Sequence, residues 1–217
     1  TVIAPMLVGG FIYPFSDWAT SPPKLSERLG YQSDTKAALK EAKQLLAAAG
    51  HPNGIKGVDF LVRDAPSFKT WAPAVQEMLK DIGIETNLRT VQVSVWFEEA
   101  QAGKFDLTIS AIVSTLLDPS DYFNSWYVTN GPQNYSKWHN EPFDKLLEQI
   151  DHELDLPKRK ALIRQAETIM EQDPPVLPVA WEKMNDAWYN YVKGYLPTSN
   201  YFGIYDVVRW DTAWLDK

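Results

Sequence analysis

The sequence predicts an α/β fold in which a mixed sheet is flanked by helices. Between residues 33 and 113, segments with helical periodicity alternate with short segments rich in β-branched and aromatic residues. Glycine follows each helical segment, at the position where helices commonly stop. This alternation is typical of helices packed against a sheet, so the order of the elements predicts the fold class.

The first predicted helix and strand lie between Ser33 and residue 63. The run SDTKAALKEAKQLLAAAG carries apolar residues at helical spacing, with Ser33 or Asp34 as the N-cap and Gly50 as the stop signal. The run VDFLVR, residues 58–63, then predicts a strand.

Two further helices and a strand continue the alternation. Residues 69–82 predict a helix that has Pro73 in its first turn, where a proline is tolerated. Residues 84–91 predict the next strand, and residues 93–102 predict a third helix.

A strand predicted at residues 105–113 ends in a polar turn that is rich in aromatic residues. Because ligands of α/β sheets collect beyond the carboxyl ends of the strands, the turn at 114–127 is a candidate binding site. The alternative is an ordinary connection in which Asp118 caps a helix that begins at Pro119. The turn by itself favours the capping interpretation.

The remainder of the chain predicts two helices and an edge strand. The helices are expected at about 141–153 and 157–172. The run PPVLPVAW, residues 174–181, reads as an edge strand because its prolines cannot donate hydrogen bonds to a ladder. Residues 1–30 and the segment after about 185 share an irregular, aromatic composition punctuated by Pro and Gly, so we expect a central domain whose two ends leave it together.

Composition and charge exclude several classes of function. A net charge of −7 and a pI near 5.0 argue against a nucleic-acid partner, which requires clustered Lys and Arg. The chain has no cysteine, which excludes disulfides and thiolate chemistry. The three histidines, His51, His139 and His152, show no metal-ligand spacing, so we expect no metal site.

The sequence also carries no catalytic motif. A nucleophile elbow, a phosphate-binding glycine loop and a dinucleotide-binding glycine pattern are all absent, so no cofactor is predicted. Adjacent Glu98 and Glu99 cannot face each other on a helix, which makes them a poor acid/base pair. We therefore expect that the protein is not an enzyme.

The order of several short blocks resembles a known family. These blocks are SDTKAALKEAKQLLAAAGHPNG, AVQEMLKDIGIETNLRTV, GKFDLTISA followed by DP, NYSKWHNEPFDKLLEQ, PVLPVAWE and VKGY. Their order and spacing over nearly the whole chain resemble family 5 extracellular solute-binding proteins, the peptide, nickel and sugar receptors of ABC importers.

The resemblance implies the second lobe of a two-lobed periplasmic-binding-protein fold, because family chains are roughly twice as long or more. Residues 1–30 would then be an interlobe crossing segment with a remnant of the first lobe, residues 31–185 the α/β domain, and residues 186–217 the return crossing. The implied partners are a small-molecule solute such as a peptide or sugar, a membrane permease and the missing N-terminal lobe. The implied location is the periplasm or the cell surface.

The resemblance also gives the turn a role, since the matching strand of peptide receptors runs to the interlobe cleft. Peptide receptors carry an Asp four residues before the Pro, which binds the peptide amino terminus, and commonly a Trp three residues earlier. Here those positions hold Thr115 and Ile112, which puts peptide specificity in doubt. The expected ligand-binding residues are Ser114, Thr115, Asp118, Tyr122, Trp126, Asn134 and Tyr135.

Two other functions stay open at this point. One is a hydrolase that uses a pair of carboxylates in a cleft to act on sugars or peptides. The other is an interaction or scaffold domain whose aromatic surface docks a partner protein, since nine Trp and ten Tyr are unusual figures. Turnover that depends on a single carboxylate would distinguish the hydrolase from a receptor.

Overall fold

The fold comes from a computed structural model, which describes residues 6–7, 9–14, 16–19, 26–27, 31, 33–112, 114, 116, 118–182, 187–195 and 210–216. The chain forms two compact units. We call Ser26–Ala111 the sheet unit, and we call Thr1–Leu25 together with Ile112–Lys217 the helical unit.

The described elements alternate in the sheet unit and are mainly helical afterwards. In chain order they are β1 (Met6–Leu7), α1 (Thr35–Ala48), β2 (Ile55–Arg63), α2 (Pro66–Asp81), β3 (Ile84–Val91), α3 (Val93–Ala102), β4 (Leu107–Thr108), α4 (Pro119–Trp126), α5 (Glu141–His152), α6 (Leu156–Gln172), β5 (Trp181–Glu182), β6 (Val192–Lys193), a 3₁₀ turn (Trp210–Thr212) and β7 (Trp214–Leu215).

The sheet unit is built on three parallel strands in the order β3-β2-β4. Helices α2 and α3 connect strands that run in the same direction, as parallel pairing requires. Because the strands are parallel, their carboxyl ends lie at one edge of the sheet. The α/β class predicted from the alternation is confirmed.

Both faces of β2 are covered, which explains its apolar run. Phe60 and Val62 pack with Phe68 and Ala72 of α2 and with Ile109. Leu61 and Trp96 of α3 are fully buried. Strands covered on two faces carry continuous rather than alternating apolar residues, so FLV at 60–62 follows from the position of β2 in the centre of the sheet.

The start of β2 depends on a close approach between Gly54 and Gly83. The amide of Ile55 donates to the carbonyl of Gly83 at 2.9 Å. A Cβ on Gly54 would lie 2.0 Å from that same carbonyl oxygen, and Gly54 has a φ of +78°. Only glycine satisfies both conditions, so this residue fixes where β2 and β3 begin to pair.

An ion-pair network centred on Arg89 joins the strands to α3. The Arg89 guanidinium contacts the Asp59 carboxylate at 2.7 Å, pairs with Glu99, and donates to the Lys104 carbonyl at 3.0 Å. Hydrogen bonding to Arg89 holds the pKa of the Asp59 carboxyl below its ordinary value. One side chain thus ties β2, β3, α3 and the start of the β4 connection together.

The helical unit packs its helices around a ring of apolar side chains. Its fully buried members are Phe123, Phe143, Leu147, Ile150, Ile163, Ala166 and Met170. The segment 9–14 belongs to the same unit, since Phe11 and Ile12 are buried and the Trp181 indole donates to the Gly10 carbonyl at 3.0 Å. β1 also pairs with β5 in an antiparallel ladder. The start of the chain therefore shares a core with residues near 181.

Three element boundaries differ from the sequence predictions. α2 begins at Pro66, because a proline at the first helical position loses no hydrogen bond, and Pro73 consequently lies inside the helix. The strand predicted at 105–113 is reduced to Leu107–Thr108. Side chains replace its ladder at both ends: the Asp106 carboxylate accepts the Asp59 amide at 2.8 Å, and the Thr108 hydroxyl donates to the Leu61 carbonyl at 2.8 Å.

The predicted edge strand is also shorter than expected. Only Trp181–Glu182 enters a ladder, while residues 174–180 run as irregular chain. The prolines at 174, 175 and 178 explain the difference, because they remove main-chain donors from the segment.

Replacing Arg89 with Gln should lower the free energy of unfolding by about 1 kcal/mol near pH 7, because Asp59 and Glu99 lose a partner that is itself partly exposed to water. The Asp59 pKa is lowered in the folded protein, so its contribution is present above the ordinary carboxyl pKa and is lost as the pH falls through the lowered value. Urea unfolding at about pH 7 and about pH 3 measures the effect, and the difference between the two proteins should shrink in acid.

Lys56→Gln is the matched control. Lys56 pairs with Glu85 across the same two strands, but both side chains are mostly exposed, so the change should be close to zero. Equal effects of the two substitutions, or an Arg89 effect that survives acid, would contradict the role given to the network.

Candidate ligand-binding site

The expected ligand-binding residues lie on α4, just before it, and in the loop that follows. All of them belong to the helical unit. Thr115, the position that peptide receptors fill with Asp, lies outside the described residues.

Asp118 is held by two sets of internal hydrogen bonds. Its Oδ1 accepts the Ser120 amide at 3.0 Å, so it caps α4 as the sequence suggests. Its two oxygens also receive the Arg159 guanidinium, with Nη2 3.1 Å from Oδ1 and Nε 3.2 Å from Oδ2. Arg159 further donates to the Ile150 carbonyl. These bonds fasten α4 to α6 and leave Asp118 with a structural role.

Ser114 lies beside the first turn of α4. Its Oγ is 2.6 Å from the Leu116 carbonyl and 2.8 Å from the Asp121 carboxylate. A hydroxyl carries a single proton, so Ser114 donates to one of these oxygens at a time. Either bond closes the turn that precedes the helix.

Tyr122 is buried in the helical unit rather than presented to solvent. Its hydroxyl donates to the Phe11 carbonyl at 3.0 Å, and its ring packs edge-on against Phe123 and Tyr127. Burial raises the pKa of both Tyr122 and Tyr127. Tyr122 therefore anchors the segment around Phe11, a role that the sequence pattern did not predict.

Trp126 and Tyr135 meet directly at the end of α4. Their rings are perpendicular, with centroids 5.6 Å apart, and each side chain is at least nine-tenths buried. The Trp126 indole N–H is enclosed and has no hydrogen-bond acceptor in the part of the chain that is described. Enclosed donors without an acceptor are rare in folded proteins.

Asn134 organises the loop between α4 and α5. Its Nδ2 lies within hydrogen-bonding distance of the carbonyls of Val128 (3.2 Å), Thr129 (3.3 Å) and Trp138 (2.8 Å). Its Oδ1 accepts from the Ser136 hydroxyl at 3.0 Å and the Trp138 amide at 3.1 Å. The amide group of Asn134 thus finds its hydrogen-bond partners within its own loop.

Among the expected residues the structure brings Trp126 and Tyr135 into direct contact. It gives Asp118, Tyr122 and Asn134 internal hydrogen-bond partners. Their ligand roles stay predictions. No group of three or more His, Asp or Glu side chains among the described residues is arranged to hold a metal ion. An open groove of about 600 Å³ between α5 and α6, lined by residues such as Lys145 and Gln165, includes none of the expected ligand residues.

One charged side chain in the sheet unit was missed by the sequence reasoning. Arg63 is the last residue of β2, at the carboxyl edge of the parallel sheet, and is half-buried. Its guanidinium carbon lies 3.9 Å from the centroid of the Phe68 ring and 4.9 Å from that of Trp96. The available signal was a cation directly after the apolar run FLV at residues 60–62.

Comparison with known proteins identifies the family. Residues 9–134 match the family described as bacterial extracellular solute-binding proteins, family 5 middle. This match covers more than half of the 217 residues. The chain belongs to this family.

Two relatives within the solute-binding family are named for different ligands. The dipeptide-binding protein DppE of Bacillus subtilis is 27% identical over 181 residues, which cover 82% of this chain and 32% of the relative. The probable deoxycholate-binding periplasmic protein YgiS of Escherichia coli is 29% identical over 195 residues, covering 90% of this chain and 34% of the relative. The chain spans about a third of the length of these relatives.

Solved structures of solute-binding proteins share the fold. The murein tripeptide binding protein MppA of Escherichia coli matches 97% of this chain and 38% of its own at 23% identity, with a TM-score of 0.72. HbpA2 from Haemophilus parasuis matches 81% of this chain and 35% of its own at 26% identity, with a TM-score of 0.66. The periplasmic-binding-protein fold predicted from the block order is confirmed. None of the described helices is both long and apolar enough to cross a membrane.

Substitutions at Asp118 test whether its hydrogen bonds act in stability. Asp118→Asn keeps a good helix cap but loses the charge opposite Arg159, whereas Asp118→Ala loses both. We expect the free energy of unfolding to fall by about 1 kcal/mol for Asn and about 2–3 kcal/mol for Ala. Urea unfolding of both variants gives this order, and an Ala variant as stable as the wild type would contradict it.

Proposed function

We propose that the protein is the solute-binding receptor of an ABC importer, and that this chain contains its second lobe. The observation that carries the proposal is the family match over residues 9–134. Residues 1–30 and 186–217 would be the crossings to a first lobe, residues 31–185 the lobe itself, and the ligand would be held between the lobes before delivery to a membrane permease. The periplasmic names of relatives support an extracytoplasmic location.

Exposed aromatic side chains support a further body beside the helical unit. The ribbon formed by β6 and β7 and the residues before it leave Trp188, Tyr189, Trp214 and Leu215 about half exposed or more. Apolar side chains clustered on a surface commonly mark the place where a partner packs. The missing first lobe is the partner that the proposal names.

Catalysis is not part of the proposed function. Three described carboxylates are held in structural ion pairs, Asp118 with Arg159, and Asp59 and Glu99 with Arg89. By name, the relatives include binding proteins for dipeptides, murein tripeptide and heme, and a probable deoxycholate-binding protein. Nothing among them supports the hydrolase alternative.

Calorimetry on the receptor, purified as its gene encodes it, tests the proposal. The panel contains unmodified dipeptides and oligopeptides, their N-acetylated forms, heme and deoxycholate. We expect saturable binding of at least one solute, recovered chemically unchanged after incubation. Conversion of a peptide in this panel, or of a glycoside added to it, that is abolished by one carboxylate substitution would instead establish an enzyme.

The ligand is proposed to be neutral or anionic rather than a peptide held by its amino terminus. Thr115 stands where peptide receptors carry Asp, and a hydroxyl binds an ammonium more weakly than a carboxylate does. The difference of about 1–2 kcal/mol corresponds to a loss of roughly 5- to 30-fold in affinity. Ile112 in place of the usual Trp changes the same turn.

Thr115→Asp should therefore strengthen the binding of unmodified peptides by about tenfold or more. The N-acetylated peptides should not gain, because they have no ammonium for the new carboxylate. Submicromolar binding of unmodified peptides by the wild type that disappears on acetylation would contradict the proposed ligand class.

A further inference from the structure

Residues 9–14 and 16–19 form an irregular stretch that we call the docked segment, and they belong to the helical unit. Three of its carbonyls accept hydrogen bonds from side chains on β5, α4 and α6. These bonds run from Trp181 to Gly10 at 3.0 Å, from Tyr122 to Phe11 at 3.0 Å and from Arg164 to Ala19 at 2.6 Å. Three separate elements therefore hold the main chain of one segment.

Trp181 holds the first part of the docked segment in more than one way. Besides its bond to the Gly10 carbonyl, its ring packs edge-on against the Tyr13 ring, with centroids 5.6 Å apart. A Cβ on Gly9 would lie 2.8 Å from the Trp181 ring, closer than such atoms approach, so the main chain lies directly on the indole. The position of this ring thus sets the path of the chain.

Helix α6 holds the last part of the docked segment with two cations. Arg164 donates to the Ala19 carbonyl and pairs with the buried Glu167 carboxylate at 3.3 Å, which fixes the direction of its guanidinium. The Lys160 ammonium lies 5.6 Å from the centroid of the Trp18 ring, within the range of a cation–π contact. The segment is therefore fastened near both of its ends.

These contacts matter for a receptor because the docked segment falls within residues 1–30, the proposed crossing to the first lobe. Ordering a flexible main chain costs conformational entropy, and a binding event that orders it loses affinity by that amount. A crossing that is already fixed in the solute-free receptor avoids this cost when the lobes close around a solute. Preorganisation of this kind strengthens binding without any new contact to the solute.

From these contacts we infer that Trp181 and Arg164 are positioning residues for solute binding. They fix the start of the crossing on the second lobe before a solute arrives, and they raise the affinity of the receptor without touching the solute. This inference rests on the proposed receptor function and adds two residues outside the candidate site around α4.

Two variants each remove one donor to the docked segment. Trp181→Phe keeps an aromatic ring beside Tyr13 but loses the indole N–H that bonds Gly10. Arg164→Gln shortens the side chain so that Ala19 loses its donor, while the Gln amide can still donate to Glu167.

Trp138→Phe is the matched control for the loss of an indole donor. The Trp138 indole donates to the Asp173 carboxylate at 2.8 Å, also within the helical unit, and this bond does not involve the docked segment. The substitution therefore removes a comparable hydrogen bond from the same unit but leaves the crossing in place.

Calorimetry on the receptor, purified as its gene encodes it, measures the effect with each solute of the panel above that the wild type binds. These probes are the unmodified dipeptides and oligopeptides, their N-acetylated forms, heme and deoxycholate. We expect Trp181→Phe and Arg164→Gln to bind about threefold to tenfold more weakly, the range that one hydrogen bond supplies, and Trp138→Phe to bind as the wild type does.

Hydrogen exchange supplies a second readout that a merely structural role would not move. In the solute-free receptor, the amides of residues 9–14 should exchange faster in Trp181→Phe than in the wild type, because local opening becomes easier. Saturation with solute should return the exchange to the wild-type rate, since closure orders the crossing again. A residue that only stabilises the fold would lower the unfolding temperature and leave the solute affinity unchanged.

Thermal unfolding verifies that each variant is folded at the temperature of the titration, and because the two test variants act on different parts of the segment, either one alone is sufficient. A folded test variant with wild-type affinity, or an equal loss in Trp138→Phe, overturns the inference. Unchanged exchange of residues 9–14 in Trp181→Phe overturns it as well. If the wild type binds a solute and these results are found, only the positioning role has failed. If the wild type binds nothing in the panel, the receptor function itself has failed, and the inference with it.

Discussion

Parallel pairing of β2 with both β3 and β4 is the constraint on which the sheet unit depends. A parallel strand must be reached by a crossover, so the chain has to place α2 and α3 between strands, and all three carboxyl ends then meet at one edge. The same pairing forces the central strand to be apolar on both faces. Its polar residues are consequently confined to positions with a dedicated partner, as Asp59 has in Arg89.

The helical unit contains irregular segments that side chains hold in place. Long connections expose main-chain donors and acceptors that must find partners. Here polar side chains supply them. Asn134 bonds the main chain of the loop after α4, Asp118 caps α4 while binding Arg159, and the Tyr122 hydroxyl donates to the Phe11 carbonyl. The polar residues that make this turn resemble a binding surface in the sequence are, in large part, the ones that shape it.

The sequence predicted the elements best where glycine marks a boundary. The bounds of β3 and α3 were predicted to the residue, since Gly83 and Gly103 end the preceding helices with positive φ. The start of α2 was wrong because two prolines compete for one helix start, and local pattern cannot rank them. The strand at 105–113 was too long because the hydrogen bonds of Asp106 and Thr108 that shorten it come from residues 47 positions away.

The candidate site was less predictable for the same physical reason. The cap formed by Asp118 is a local signal and was anticipated, but its ion pair with Arg159 spans 41 residues. A cation at the end of a strand, such as Arg63, can be read from sequence, whereas the rings that hold it come from two different helices. The charged side chains here contact residues that are distant in the chain, and the hydrophobic periodicity of the sequence does not reveal such contacts.

The discontinuous helical unit has a consequence for biosynthesis. Its hydrogen bonds include Tyr122 to Phe11, separated by 111 residues, and Trp181 to Gly10, separated by 171. The sheet unit, in contrast, is one continuous stretch of chain, so it can fold as soon as it leaves the ribosome or the export channel. The segment around Phe11 is synthesised before Tyr122 and Trp181, so its hydrogen bonds to them can form only after β5 has been made. During that interval Phe11 and Ile12 are exposed, and this segment is where a chaperone would have the longest time to act.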